Sequence, residues 1–200
     1  MIPEQLRCLY LHGFKSGPQS SKAQQTQMFF EDHQNQQNLH IPQLSPAPQA
    51  AMDQAQFIYE QLLDEVGPAS TLVIGSSLGG YFASYLVERF GGRCVLINPA
   101  VKPYELLRDY LGENENLYNG ERFVVTEDYM DELKALDTPA LAQPQRHFLM
   151  VQTHDETLDY RLACDKYRNG PCIIEYGGDH SYSNFQQRLP AVMNFMQMPY

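Results

Sequence analysis

The sequence predicts a three-layer α/β fold: a six-stranded, mostly parallel sheet with helices on both faces. Three observations carry this prediction. Six short, continuously apolar runs punctuate the 200 residues. Longer stretches of helical pattern separate them, which is the alternation of a parallel sheet covered on both faces. A hydrophobic fraction of 43%, including 13 Tyr and 10 Phe, fills the sizeable core that one domain over residues 1–200 requires.

Taken in order, RCLYLHG (7–13) reads as a buried strand ending at a turn. SSKAQQTQMFFEDH (20–33) reads as a helix with Ser20 or Ser21 as its N-cap. NLHIPQL (38–44) is a short strand interrupted by Pro42, and SPAPQ (45–49) is a loop. AAMDQAQFIYEQLLDEVG (50–67) is a helix whose Met52, Phe57, Leu62 and Leu63 fall near one face, stopped by Gly67-Pro68. TLVIG (71–75) is a buried strand, followed by a small-residue turn and a helix over about 78–90. RCVLINP (93–99) and HFLMVQT (147–153) are further strands. LDYRLACDKY (158–167) is a helix and CIIEY (172–176) the last strand. NFQQRLPAVMNFM (184–196) is the last helix, bent or restarted at Pro190.

Residues 102–145 interrupt the alternation and read as two short helices flanking a loop, with Thr126 as a possible cap for the second. This stretch holds ten acidic and four basic residues, so it carries −6 of the chain's net −10. Lying between two strand ends, it is expected to sit over the sheet edge as a small helical cap or lid, the alternative being a solvated surface excursion.

Right-handed crossovers place all the strand C-terminal ends on one edge, where open α/β sheets bind ligands. His12-Gly13, Ser76-Ser77, Asn98-Pro99, His154-Asp155 and Asp179-His180 are therefore expected to gather there. The net charge disfavours nucleic acid and anionic membranes as partners, and it also serves plain solubility. Cys8, Cys94 and Cys172 sit in apolar strands as reduced, buried thiols do, and Cys164 has no C-x-x-C partner. The N-terminus lacks the basic start and long apolar stretch of a signal peptide, and no apolar run is long enough to span a bilayer. A cytoplasmic protein is expected.

Gly75-x-Ser77-x-Gly79 lies between a strand and a helix, the context of a nucleophile elbow. A residue on that sharp turn needs neighbours without bulk two positions to either side. Ser77 has Gly75 and Gly79 there, whereas Ser76 has Ile74 and Leu78, so Ser76 is given no catalytic part. The G-x-x-x-x-G spacing of Gly75 and Gly80 is not a phosphate loop, because Tyr81 and Phe82 stand where Lys and Ser or Thr are needed. Serine needs a base, and among six histidines His180 is placed to act, in the glycine-flexed loop after the last strand. His33 and His40 read as surface residues and His147 as structural. The chain order Ser, acid, His supports His180 as base, and Asp155, just past the strand before the histidine-bearing one, is favoured as the orienting acid, with Glu156 second. Asp159 is assigned to the next helix, and Asp179 is too close to His180 in sequence to face it. Oxyanion donors are expected from the backbone N–H of Leu78 and from Phe14, with Lys15 in reserve. Gly13 permits close approach, and His12 supports the loop through a hydrogen bond. The histidines lack ligand spacing, so neither a metal nor another cofactor is expected.

These residues resemble those of the α/β-hydrolases, and more narrowly the small bacterial esterases of the YqiA type. The resemblance rests on LYLHGF, IPQL, VIGSSLGGYFA, NPAVKPYELLRDYLGENEN, DETLDYR and GGDHSYSNF, which spread across nearly the whole chain. It implies the same triad, Ser77, Asp155 and His180, and hydrolysis of short-chain esters or of acyl-CoA thioesters. Only six residues precede the first strand, so a minimal sheet without the two leading antiparallel strands of larger relatives is expected. The substrate is expected to be a small-molecule ester or thioester. The reading from another class is a binding module that kept the fold without catalysis.

Overall fold

A computed structural model describes residues 2–200. Six strands, β1 (Arg7–Leu11), β2 (Leu39–His40), β3 (Thr71–Ser76), β4 (Arg93–Ile97), β7 (His147–Gln152) and β8 (Cys172–Glu175), form one sheet in the order β2-β1-β3-β4-β7-β8. Every pairing in it is parallel. The crossovers are α1 (Ser21–Asp32), α2 (Pro48–Val66), α3 (Leu78–Phe90) and α6 (Tyr160–Lys166), and α7 (Leu189–Met196) follows the last strand.

The apolar runs divide their side chains between two cores, because successive residues in a strand point to opposite faces. Leu9, Leu11, Val73, Leu96, Leu149 and Val151 pack beneath α2, α3 and α6. Cys8, Tyr10, Ile74, Val95, Ile97 and Met150 pack beneath α1 and α7. Pro190 stands at the start of α7, after a 3-10 turn over Phe185–Arg188, so that helix restarts there. Arg93, buried at the foot of β4, donates to the Phe195, Met196 and Met198 carbonyls at 2.6–3.2 Å and so satisfies the end of α7.

Four expectations need correction. The loop expected inside residues 102–145 is an antiparallel hairpin of β5 (Gly112–Glu115) and β6 (Arg122–Val125), set between α4 (Pro103–Leu106) and α5 (Asp128–Ala135). Thr126 does not cap α5. Glu127 holds that position, and Thr126 contributes only its carbonyl, to Tyr129 N–H. Phe57 is 64% exposed, because it lies one position off the Met52, Ala55, Tyr59 and Leu62 stripe that α2 buries. Cys172 is exposed, because β8 is the sheet edge. Among the described residues, no helix is long and apolar enough to cross a membrane.

Candidate active site

The elbow is built from backbone first. Ser77 lies between β3 and α3 at φ 56° and ψ −118°, a conformation that costs a non-glycine residue about 1–3 kcal/mol. It is held there because its N–H donates to Ile97 O (3.0 Å) and its carbonyl accepts from Gly80 N (3.0 Å) and Ala100 N (3.1 Å). A Cβ on Gly75 would overlap the Gly79 carbonyl, and one on Gly79 would overlap the Leu11 carbonyl. The glycines are thus fixed by the backbone of α3 and of β1 respectively. Ser76 is 6% exposed and ends β3 in register with Ile97.

His180 follows β8. Its Nδ1 lies 3.0 and 2.8 Å from the two Asp155 carboxylate oxygens, and the Asp155 side chain is only 1% exposed. Asp155 Oδ1 also accepts from Thr157 N–H (2.9 Å) and Leu158 N–H (2.8 Å), which fixes the carboxylate before it meets the imidazole. Glu156 is used differently: it accepts the backbone N–H of His180 at 3.0 Å. Asp179 accepts from Ser183 Oγ, and Asp159 caps α6 by accepting from Arg161 N–H. His180 and Ser77 line one cavity of about 250 Å³, with no direct hydrogen bond between them among the described residues.

Three residues that the sequence reading gave no role hold the histidine loop. Asn98, at φ 40° after β4, donates to the Asp179 (3.0 Å) and His180 (3.2 Å) carbonyls and accepts from Gln152 N–H (3.0 Å). Gln152 Oε1 accepts from Asp179 N–H and Ser183 N–H, and Nε2 donates to the Ser183 carbonyl. Lys22, from the first turn of α1, donates to the His180 (3.3 Å) and Ser181 (3.0 Å) carbonyls. The sequence signal for Asn98 and Gln152 was polar side chains at the ends of apolar strands.

On the opposite side of Ser77, Gly13 comes so close that a Cβ would stand 3.1 Å from Ser77 Cβ. His12 is buried and bridges two segments, its Nε2 accepting from Leu44 N–H (3.0 Å) and its Nδ1 3.0 Å from Gly13 O. Leu44 N–H can only donate, so Nε2 is the bare nitrogen and Nδ1 carries the proton. Burial lowers the His12 pKa, opposed by its bond to Gly13. The Phe14 and Leu78 N–H groups have no hydrogen-bond partner among the described residues. Both residues line a second, mostly apolar slot of about 20 Å³, beside Leu44, Ala51, Phe82 and Phe123.

The 102–145 insertion is seated on this loop. Asn116 Nδ2 donates to Ser16 O (2.8 Å) and Leu117 N–H to Lys15 O (3.1 Å). The Phe14 ring meets Tyr110 and Phe123 edge-on at 5.4 and 5.7 Å. Leu117 and Tyr118, in the hairpin turn, line the cavity that contains Ser77. Leu107 is buried in the core beneath α2 and α3, and Tyr104 packs against that core while donating to Asp137 (2.9 Å).

Residues 7–197 match the model of an uncharacterised protein family, UPF0227. A UPF0227 protein of Serratia proteamaculans (strain 568) is 21% identical over 192 residues, covering 96% of this chain and 99% of that protein. Among solved structures, Est1E of Butyrivibrio proteoclasticus with ferulic acid bound is similar at a TM-score of 0.68 and 16% identity, over 98% of this chain and 92% of that chain. The mouse alpha/beta hydrolase domain-containing protein 10 is similar at 0.63 and 13%, over 97% and 91%. At these identities the solved structures show the fold, which is that of the α/β-hydrolases.

Proposed function

The chain belongs to the uncharacterised protein family UPF0227, and we propose that it is a serine carboxylesterase acting through an acyl-enzyme on Ser77. One observation carries this reading. An imidazole whose Nδ1 is fixed on a buried carboxylate shares a cavity with a serine on a strained turn. Asp155 keeps the proton on Nδ1, which leaves His180 Nε2 bare to act as base.

Ser77 Oγ attacks the ester carbonyl carbon as its proton passes to His180 Nε2. The contact between these groups closes when substrate is bound. The oxyanion that forms accepts from Phe14 N–H and Leu78 N–H, neither of which has another partner among the described residues. Collapse breaks the bond to the leaving alcohol, and that oxygen takes the proton from His180. Water, activated by the same histidine, then releases the acid and restores Ser77.

The slot beside the two donors receives the acyl group. Its free volume of about 20 Å³ is on the order of one water molecule, so an acyl chain longer than acetyl enters only as the walls of the slot move. The insertion acts as the cap, placing Leu117 and Tyr118 over the leaving-group side.

The test is hydrolysis of p-nitrophenyl butyrate. Ser77→Ala is expected to lower kcat by at least about 10⁴-fold, while Ser76→Ala keeps most activity. The reverse order would move the nucleophile to Ser76, and hydrolysis by neither variant nor parent would favour a binding module.

A further inference from the structure

The cavity shared by Ser77 and His180 has a charge that hydrolysis of a neutral ester does not call for. Its lining includes two lysines, Lys15 and Lys22, and no carboxylate, in a chain with 24 acidic and 14 basic residues. Neither lysine is ion-paired among the described residues. Lys22 uses two of its N–H groups on the His180 and Ser181 carbonyls, and the third has no protein partner. Lys15 reaches Asn114 Oδ1 at 3.4 Å and the face of Tyr110 at 5.7 Å, and it also borders the apolar slot and a groove with Glu113 and Glu115. Lys102, by contrast, is exposed, paired with Glu105 at 3.3 Å and turned to a separate groove.

A half-buried ammonium with no ion pair gains when a ligand supplies a negative charge. Burial pushes Lys22 down to about 8, against the opposing pull of Asp155, Asp179 and Glu156. The side of the site is fixed by the chemistry. The leaving oxygen must take its proton from His180, so the alcohol part lies in the cavity that His180 and the lysines line. The acyl part faces the apolar slot at Phe14 and Leu78.

We propose that Lys22 and Lys15 recognise a compact anion, a carboxylate or a phosphate, on the alcohol part of the substrate, a proposal that rests on the esterase reading above.

The test compares kcat/KM for phenyl acetate, 3-acetoxybenzoate and 3-acetoxyphenyl phosphate. At least one anionic ester is expected to exceed phenyl acetate by about tenfold or more, and the better of the two identifies the anion. Added salt is expected to shrink the ratio. Because Lys22 also holds the His180 carbonyl, the ratio rather than the absolute rate is the readout. It is expected to fall towards one in Lys22→Met and to survive in Lys22→Arg. If Lys22→Met does not fold, Lys15→Met supplies the same comparison with a partial fall. A ratio near one in the parent enzyme, with hydrolysis that depends on Ser77, overturns the anion site alone. A ratio that neither lysine substitution changes also overturns it. No turnover of any ester overturns both this proposal and the esterase reading.

Discussion

Ser77 holds a backbone conformation that glycine adopts without a Cβ penalty. Ser77→Gly is therefore expected to raise stability by about 1 kcal/mol while removing the proposed nucleophile. The check is a higher urea midpoint at unchanged slope, and a lower midpoint would mean that the turn is not strained. That Ser77 and not Ser76 stands on the turn was legible, because Gly75 and Gly79 leave room around one of them only. The contact of His180 with Asp155 was legible from their places after the last two apolar runs. The place of Asn98 at that edge was legible too, but the bonds that Lys22, Asn98 and Gln152 make were not, since each reaches backbone groups 27 to 159 residues away. No local pattern encodes such contacts.

The strands of the main sheet were legible because a central parallel strand is apolar on both faces. That reasoning fails at an edge, where β8 leaves Cys172 and Ile174 exposed. It fails more completely for the hairpin, since GENE carries no apolar alternation. The signal that was present is Asn119-Gly120, a turn pair of the kind that joins antiparallel strands. The hairpin turn is organised by Asn116, whose Oδ1 accepts from Tyr118 and Asn119 N–H and whose Nδ2 reaches Ser16 O. Asn116→Ala removes these bonds, a local loss of about 1–3 kcal/mol. Faster amide exchange is expected over residues 13–17 and 116–121, together with a raised KM and a nearly unchanged global unfolding midpoint. Unchanged exchange in the 13–17 segment would show that the insertion does not steady the loop at Phe14.

Two buried histidines couple the whole molecule to pH. His12 and His147 both have pKa values lowered by burial, the first opposed by its Gly13 bond and the second by Glu88 at 3.6 Å. Both are 5% exposed or less. In the unfolded chain they titrate near 6.5, so between that value and their lower folded values the unfolded state binds more protons. Their contribution is present above about pH 6.5 and is lost as the pH falls. The urea midpoint is expected to drop between pH 7.5 and 5.5, and a flat or rising midpoint would contradict the buried neutral state. Protonating His12 would also remove the acceptor for Leu44 N–H and loosen the loop that presents Phe14.

The sheet, the elbow and the histidine loop all serve one claim, that Ser77 is an activated nucleophile. The most direct test is a fluorophosphonate probe followed by peptide mass spectrometry on the folded protein. One adduct is predicted, on the peptide containing Ser77, abolished by Ser77→Ala and strongly slowed by His180→Ala. A folded protein that takes no label, or takes it on Ser76, would contradict the account.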